Sequence, residues 1–257
     1  MKNVVFQEWA EKWLAYKRRY VKESTYANYL IWMRNHLIPA VGDERVEHVN
    51  SARIQEQISF WMEYGRKDGM GGLSEKTIKD MVMILKLCLR DYAKFREENS
   101  PDFDVVYPGK GRDKKVEVLS HKQQEELLEA IYNDGSYEAL GYAMALYTGV
   151  RIGEICALRW ENIDMSERKI LVDKTIQRIY LKEKGGGKSK VIITTPKSEK
   201  SIRNIPISDA LYGMLTTKVC DDKNSYFITG TRKYMEPRLY RKHYKKFLLQ
   251  NKMEYIM

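Results

Sequence analysis

The spacing of apolar residues predicts a helical N-terminal part of the chain. Up to about residue 99, apolar side chains recur three or four positions apart in four segments, which is the period of a buried helix face. The segments are 6–16, 26–37, 54–61 and 78–95. Pro39 and Gly42 are expected to stop the second helix, and Ser74 to cap the fourth. Four amphipathic helices with short connections predict a compact all-α bundle.

A different composition begins near residue 100. Ser100–Val118 holds Pro and Gly residues among charges and has no helical period, which is typical of an interdomain linker. Ser120 and Gln123 then form a capping-box pattern that opens a helix, and a further helix leads to a turn at Thr148-Gly149. We therefore predict a helical domain at residues 1–105, a linker at 106–118 and a second domain at 119–257.

The apolar period changes from 3.6 to 2 in the second domain. Such alternation predicts strands, and the short polar stretches between them are typical of hairpins. The predicted strands are 169–181, 191–195 and 201–207, with a further strand at Tyr226–Ile228 and a last helix at Pro237–Leu249. The expected fold class is α+β: an all-α bundle followed by a domain with a small antiparallel sheet.

The charge balance indicates which partners are favoured. With 45 Lys and Arg against 35 Asp and Glu, the 257-residue chain has a formal net charge of +10. This surplus favours nucleic acid first and an anionic membrane surface second. The chain has no apolar run near the roughly 18 residues of a membrane helix and no signal-peptide pattern. Because Cys88, Cys156 and Cys220 stand alone in apolar surroundings, we expect reduced core cysteines in a cytoplasmic protein. Because the apolar runs are short, we expect no membrane among its partners.

The segment LYTGVRIGEICALRWENIDM places an arginine at the start of a short helix. Arg151 follows the Thr148-Gly149 turn, and the free backbone N–H groups of a helix N-terminus favour an anion. The planar guanidinium adds donors that match phosphate oxygens, and Glu154 is placed to orient it. The alternative is a surface arginine that pairs with Glu154 and has no further function.

A cluster of cations surrounds the turn between two predicted strands. Residues 182–203 contain seven lysines and arginines against two glutamates. Lys197 lies near the tip of this turn, where a lysine can contact a phosphate or donate a proton to a departing oxygen. A solvated turn is the alternative for any single lysine. The region around the last helix is also basic, which fits either a surface that follows a phosphate backbone or an ordinary polar helix face.

Signals for metals and nucleotides are missing from the sequence. There is no Cys-x-x-Cys or His-Glu-x-x-His pattern, and the four histidines are scattered. The GGG within the basic segment is not followed by the Lys-Ser/Thr pair of a nucleotide-binding loop. We expect no cofactor, no metal and no bound nucleotide, so any phosphate chemistry would use protein side chains.

Three blocks of the sequence together resemble the tyrosine recombinases, the integrases of phages and transposons. TGVRIGEICALRWENIDM is similar to their first signature box, and TTPKSEKSIRNIPIS to the lysine-bearing hairpin that follows it. STYANYLIWMRNHLIPAVGDERVEHV resembles their helical, SAM-like core-binding domain. The blocks occur in the family's order and cover nearly the whole chain. The expected fold is then a core-binding bundle followed by a partial tyrosine-recombinase catalytic domain.

The resemblance implies an enzyme that clamps double-stranded DNA between two domains, without metal or ATP. In such enzymes a tyrosine attacks the scissile phosphate, arginines and a histidine stabilise the transition state, and the hairpin lysine protonates the leaving 5′-oxygen. Arg151 matches the first arginine, Lys197 the lysine, and Glu154 the supporting acidic residue. We also expect a homo-oligomer on DNA. DNA binding is assigned to Lys76, Thr77, Lys79, Lys190 and Arg203.

The sequence departs from the family pattern after the last predicted helix. The family's His-x-x-Arg box is absent: His243 is followed by Tyr-Lys-Lys, and Tyr255 has no such box before it. We therefore expect no nucleophile in this chain, an integrase truncated inside its catalytic domain, and no competence for cleavage alone. The alternative is a non-catalytic DNA-binding regulator or a dominant-negative recombinase fragment. A third hypothesis is a metal-dependent nuclease using carboxylates such as Asp164 and Asp173.

Overall fold

The structure is a computed structural model that describes residues 4–99, 104–107, 118–183, 186–195 and 201–254. The described residues form two compact units. The first unit contains those up to 107 together with 179–183 and 186–189, and the second contains 118–178 and those from 190 onwards. Most of the predicted linker at 106–118 lies outside the described residues, so the domain boundaries stay a prediction.

Helices build the first unit. Asn50 and Ser74 cap its two longest helices, because their side chains accept the N–H groups of Arg53 and Thr77. The helices are α1 Phe6–Lys17, α2 Glu23–Trp32, α3 Ile38–Val41, α4 Ser51–Tyr64 and α5 Glu75–Arg96. Short 3-10 and π turns occupy Val46–His48 and Met33–Leu37. The apolar faces meet in a common core that includes the fully buried Phe6, Trp13, Ile54, Ile58, Ile78 and Leu85.

The prediction that Pro39 stops the second helical segment is wrong. α2 continues into the π turn at Met33–Leu37 and then into α3, whose first turn contains Pro39. Proline is tolerated in a first turn because the N–H that it lacks has no helical acceptor there. The π turn allows the chain to start a new helix at Ile38, a change that the apolar pattern does not indicate.

The remaining elements combine helices with short strands. The predicted capping box is confirmed, since Ser120 Oγ accepts the N–H of Gln123 and Gln123 Oε1 accepts the N–H of Ser120. The helices are α6 His121–Asp134, α7 Tyr137–Thr148, α8 Ile152–Ala157, α9 Asp209–Thr216 and α10 Pro237–Gln250. The strands are β1 Ile163–Asp164, β2 Lys169–Val172, β3 Thr175–Glu183, β4 Gly186–Thr194 and β5 Arg203–Pro206. The α+β fold class is therefore confirmed.

The strands form two sheets instead of the single small sheet expected. An antiparallel sheet has the order β1-β2-β5, with Ile170 of β2 opposite Ile163 on one side and Ile205 on the other. β3 pairs with β4 in a separate two-stranded sheet. The predicted strand 169–181 is interrupted at Asp173 and Lys174, where aspartate is unfavourable in a strand.

The predicted strand at Tyr226–Ile228 is wrong. Tyr226 forms only isolated bridges, to Arg159 and to Thr231, and turns follow it. The other two residues of the segment are fully buried. Their apolar side chains serve the core of the second unit instead of one face of a sheet.

The core of the second unit is built around α7. The ring of Tyr240 on α10 stacks on Tyr142 with centroids 5.1 Å apart, and its hydroxyl donates to the Glu138 carbonyl at 3.0 Å. Gly141 permits this approach, because a Cβ there would lie 2.2 Å from the Tyr240 hydroxyl oxygen. The packing fixes α7, whose C-terminal end leads into the candidate site.

The three cysteines lie in the hydrophobic cores of the two units. Cys88, Cys156 and Cys220 are buried and unbonded to one another, as core cysteines. Among the described helices, none combines the length and the apolar character that crossing a bilayer requires.

Candidate functional site

The turn between α7 and α8 sets the position of Arg151. α7 ends at Thr148, and Gly149 adopts φ 64°, the left-handed conformation that glycine favours after a helix. The Thr148 hydroxyl donates to the Met144 carbonyl at 2.5 Å. Val150 is buried, so the chain is anchored immediately before Arg151, and Arg151 directly precedes the first turn of α8.

Glu154 is the centre of the site, where one carboxylate accepts hydrogen bonds from two arginines. The backbone N–H of Arg151 donates to Oε2 at 3.1 Å, and its Nη1 donates to Oε1 at 3.1 Å. Arg203 approaches with two nitrogens, Nη2 to Oε2 at 2.9 Å and Nη1 to Oε1 at 3.3 Å. Two guanidinium groups and a backbone N–H therefore fix the orientation of this carboxylate.

Glu154 is only 5% exposed, yet the pKa of its carboxyl is lowered and not raised. Burial opposes the charge and is the largest single influence on its pKa, but hydrogen bonds from Arg203 and Arg151 together outweigh burial. The pKa of Glu154 therefore lies below its ordinary value of 4.5. A carboxylate that stays charged at neutral pH can hold both arginines by charge-assisted hydrogen bonds.

The two arginines differ in how much of each side chain reaches solvent. The side chain of Arg151 is 74% exposed, whereas that of Arg203 is 31% exposed. An exposed guanidinium has five N–H donors, so Arg151 can bind Glu154 and an anion in solution together. Since α8 has only six residues, the positive charge that an anion meets comes mainly from this guanidinium and not from a helix dipole.

Gly153 brings α8 close to the start of β3. A Cβ at this position would lie 2.6 Å from Thr175 Oγ1 and 2.8 Å from the Ile176 carbonyl oxygen, so a larger residue would separate the two elements. Ile155 and Cys156 of the same helix are fully buried. Arg151 and Glu154 therefore lie on a rigid support, which favours a fixed geometry of the site.

The basic segment 182–203 is described only in part. Lys197, the predicted proton donor, falls in 196–200 and lies outside the described residues. Lys190 is exposed on β4, and Arg203 opens β5. The Arg203 guanidinium has Glu154 as its partner, a contact that the sequence did not predict. Its assignment to DNA binding stays a prediction.

The residues of the first unit assigned to DNA binding lie in the first turns of α5. Lys76 is exposed, and Lys79 pairs with Glu75 at 2.5 Å. Thr77 belongs to the helix cap, since its hydroxyl lies 2.8 Å from Ser74 Oγ and its N–H donates to the same atom. The two lysines are therefore presented to solvent, whereas the threonine hydroxyl already has a local partner.

A longer row of cations on α5 was not predicted. Five exposed residues form this row, which we call the α5 cation row: Lys76, Lys79, Lys86, Arg90 and Lys94. At 100° per residue they fall within an arc of about 80°, and the row is about 27 Å long. The signal was present in the sequence, because this row is the polar face that complements the predicted apolar face of the helix.

The solvent face of α10 is basic as well. Glu236 at its start pairs with Arg178, with 2.8 Å between Oε2 and Nε. His243 contacts α7, with Nδ1 2.8 Å from Glu138 Oε2, so this histidine takes part in packing the helix. The exposed cations of the helix are Arg238, Arg241, Lys242, Lys245 and Lys246.

The carboxylates of the metal-dependent hypothesis have other partners. Asp164 Oδ1 accepts the N–H groups of Ser166 and Glu167 at 3.1 and 2.9 Å. The hydrogen bond from the Ser166 hydroxyl is the main reason that the pKa of Asp164 lies below its ordinary value. Throughout the described part of the chain, no three His, Cys, Asp or Glu residues lie close enough to hold a metal ion. Asp164 therefore stabilises a turn, and nothing described supports this hypothesis.

Two sequence profiles of known protein families match this chain. The sequence profile of the phage integrase family matches residues 117–255, and that of the phage integrase N-terminal SAM-like domain matches residues 5–62. The first match covers more than half of the chain and includes Arg151, Glu154 and Arg203. The fold is that of the tyrosine recombinases. The chain belongs to the phage integrase family.

Curated relatives share this chain's sequence over part of their length. The tyrosine recombinase XerC-like protein of Caldanaerobacter subterraneus subsp. tengcongensis is 28% identical over 202 residues, covering 76% of this chain and 49% of the relative. The prophage ps2 probable integrase of Lactococcus lactis subsp. lactis is 29% identical over 219 residues, covering 80% and 52%. The chain thus spans about half the length of the curated relatives that it matches.

Solved structures show the same fold. The Tn1549 transposon integrase in complex with transposon right end DNA has a TM-score of 0.70 at 21% identity, covering 99% of this chain and 81% of the other. The lambda integrase tetramer bound to a Holliday junction has a TM-score of 0.57 at 13% identity, covering 98% and 68%. At these identities the likeness concerns the fold, which agrees with a helical bundle followed by an integrase catalytic-domain fold.

Proposed function

We propose that this chain binds double-stranded DNA as part of a site-specific recombination system, with the Arg151 guanidinium on a backbone phosphodiester. The observation that carries this proposal is the arrangement at Glu154, where an ionised carboxylate orients an exposed arginine within the family match. A guanidinium held in place loses less side-chain entropy when it binds a phosphate. Each charge-assisted hydrogen bond then contributes about 1.5–3 kcal/mol.

Cations on both units supply further phosphate contacts in this proposal. The first unit offers the α5 cation row, which includes Lys76 and Lys79 beside Thr77. The second unit offers Lys190 on β4 and the basic face of α10. Contacts of this kind do not depend on base sequence, and they fix a protein on the duplex. The formal net charge of +10 supports the same partner.

The solved relatives support the choice of partners. The Tn1549 transposon integrase is bound to transposon DNA, and lambda integrase forms a tetramer on a Holliday junction. We extend both features to this chain, with double-stranded DNA as ligand and a homo-oligomer assembled on that DNA. The proposed place of action is the cytoplasm, and the proposal requires no nucleotide or other cofactor.

The catalytic roles proposed for this site follow the family's chemistry. Arg151 would stabilise the charge that develops on the phosphate, Glu154 would hold Arg151, and Lys197 would protonate the leaving 5′-oxygen. These roles need a tyrosine nucleophile and its supporting groups. The 257 residues contain no His-x-x-Arg box, and His243 is followed by Tyr-Lys-Lys. We therefore propose that these residues alone bind DNA without cleaving it.

A pool of nicked suicide duplexes with random core sequence tests this proposal. Attack on such a duplex releases a short strand, so a covalent protein–DNA link accumulates and survives denaturation. We expect a shifted complex on a native gel and no adduct on a denaturing gel, with an intact integrase on its own site as positive control. An adduct that Tyr255→Phe abolishes would contradict the proposed lack of cleavage, and the absence of any shift would contradict DNA binding.

A regulator that occupies recombination sites is the second candidate function. These 257 residues contain no His-x-x-Arg box, which favours it, because a protein that binds without cleaving competes with an intact enzyme for DNA. Expression of this chain beside an intact recombinase of the same specificity should lower recombination of a reporter. Arg151→Ala, expressed to the same level, should restore recombination. Equal recombination with and without this chain would exclude the regulator.

A further inference from the structure

Arg203 is joined to Arg151 through a shared carboxylate. Arg203 donates to Glu154 from two nitrogens, at 2.9 and 3.3 Å, and Arg151 donates from one side-chain nitrogen at 3.1 Å. Arg203 Nη1 also donates to the Ser201 carbonyl at 3.2 Å. The arginine that opens β5 is therefore bound directly to the first turn of α8.

The two arginines differ in solvent exposure and in how many of their side-chain nitrogens have partners within the protein. Arg203, whose side chain is 31% exposed, directs both terminal nitrogens to partners inside the protein. Arg151, whose side chain is 74% exposed, uses only Nη1 on Glu154 among the side-chain contacts described. Arg203 is therefore suited to hold a neighbouring group, and Arg151 is suited to meet a ligand.

We propose that Arg203 is a positioning residue for Arg151: it fixes Glu154, and Glu154 in turn holds the Arg151 guanidinium ready for a DNA phosphate. This inference rests on the proposed function of Arg151. Without Arg203, the carboxylate would keep one arginine partner and could rotate with it. Arg151 would then be ordered anew at each binding event, which lowers affinity.

Lysine at position 203 separates this role from a direct DNA contact. A lysine keeps the positive charge and binds phosphate well as a point charge. It lacks the planar fork that reaches both oxygens of Glu154. A direct DNA contact would therefore survive Arg203→Lys, whereas positioning of Arg151 would not.

The test is a double-mutant cycle on the affinity of the whole chain for a fluorescein-labelled duplex, measured by anisotropy at one salt concentration. Arg203→Lys and Arg203→Met should weaken binding equally, by about two- to tenfold. In an Arg151→Ala background, Arg203→Lys should cause no further loss, because the residues act through one contact. Arg168→Lys is the matched control, since Arg168 pairs with Asp209 elsewhere on the second unit.

A second readout concerns Arg151 itself, in the absence of DNA. Restricted rotation of its guanidinium gives separate ¹⁵N signals for the two Nη atoms. These signals should be separate in the unmodified chain and should merge in Arg203→Lys. A merely structural Arg203 would lower stability without merging them. Urea unfolding shows whether each variant is folded at the assay temperature. If Arg203→Met does not fold, Glu154→Gln takes its place in the comparison.

The outcomes distinguish the inference from the function on which it rests. If Arg203→Lys binds like the unmodified chain while Arg151→Ala is weakened, the inference is overturned and the function of Arg151 stands. If Arg203→Lys and Arg151→Ala weaken binding additively, Arg203 acts independently of Arg151 and the inference is again overturned. If Arg151→Ala binds normally, the proposed function of Arg151 fails, and the inference fails with it.

Discussion

DNA binding by this chain should weaken about a thousandfold or more when monovalent salt rises from about 50 to about 200 mM. Each phosphate that a lysine or arginine neutralises releases counterions, so the logarithm of the binding constant falls with the logarithm of salt concentration. The α5 cation row, Arg151, Lys190 and the basic face of α10 provide enough cations for about six phosphates, which gives a slope near −5. Anisotropy titrations across a salt series measure this slope.

Paired variants show which cations produce the slope. Replacing Lys76 and Arg90 of the α5 cation row with alanine should make the slope less steep by about two. Replacing Lys122 and Lys223, two exposed lysines outside the proposed surfaces, removes the same charge and should leave the slope nearly unchanged. A binding constant that does not respond to salt would contradict DNA binding through these surfaces.

Glu154→Leu should lower the free energy of unfolding by about 2–4 kcal/mol. The change removes the partner of two guanidinium groups and the acceptor of the Arg151 backbone N–H. The loss should be smaller than for a fully enclosed ion pair, because the Arg151 side chain is 74% exposed and regains water. Glu154→Gln keeps an acceptor oxygen and should cost about 1–2 kcal/mol. Urea unfolding measures both variants.

The loss of unfolding free energy caused by Glu154→Gln should become smaller at acidic pH. The pKa of Glu154 is lower in the folded chain than its ordinary value of 4.5. Its charge therefore contributes stability that is complete above about pH 4.5 and is lost as pH falls through the lower folded pKa. The difference between the unmodified chain and Glu154→Gln should be constant from neutral pH to about pH 5 and should shrink below that range.

Glu125→Gln is the control for these stability measurements. Glu125 is exposed on α6, and its substitution should change the free energy of unfolding by less than about 0.5 kcal/mol at any pH in the series. Equal stabilities of Glu154→Leu and the unmodified chain at neutral pH would mean that the carboxylate does not hold this site together.

Features set by neighbouring residues could be predicted from the sequence. The capping box at Ser120 and the cap at Ser74 depend on residues three positions apart, and both are present. Apolar spacing predicted the long helix α5 for the same reason. The prediction at Pro39 was wrong, because proline breaks a helix that continues through it but is tolerated where a helix starts. The π turn before Pro39 lets a new helix start at Ile38, and the sequence pattern does not show this turn.

Features that depend on distant residues could not be predicted in the same way. The pairing of Arg151 with Glu154 was predicted because these residues are three positions apart in one turn. The bond from Arg203 to Glu154 joins residues 49 positions apart, and it depends on where β5 lies relative to α8. No local pattern carries that information. The α5 cation row was within reach, because its period is that of the helix whose apolar face was recognised.

The affinity of Arg151→Ala for duplex DNA tests the central claim most directly, with Lys76→Ala and Lys122→Ala measured beside it under the same conditions. The loss of charge-assisted hydrogen bonds from an oriented guanidinium predicts at least about tenfold weaker binding for Arg151→Ala and a salt slope less steep by about one. Lys76→Ala should weaken binding by a smaller factor, since an exposed lysine is one of several interchangeable cations on α5, and Lys122→Ala should bind like the unmodified chain. Equal affinities of Arg151→Ala and Lys76→Ala would contradict the special role of Arg151 in binding a DNA phosphate.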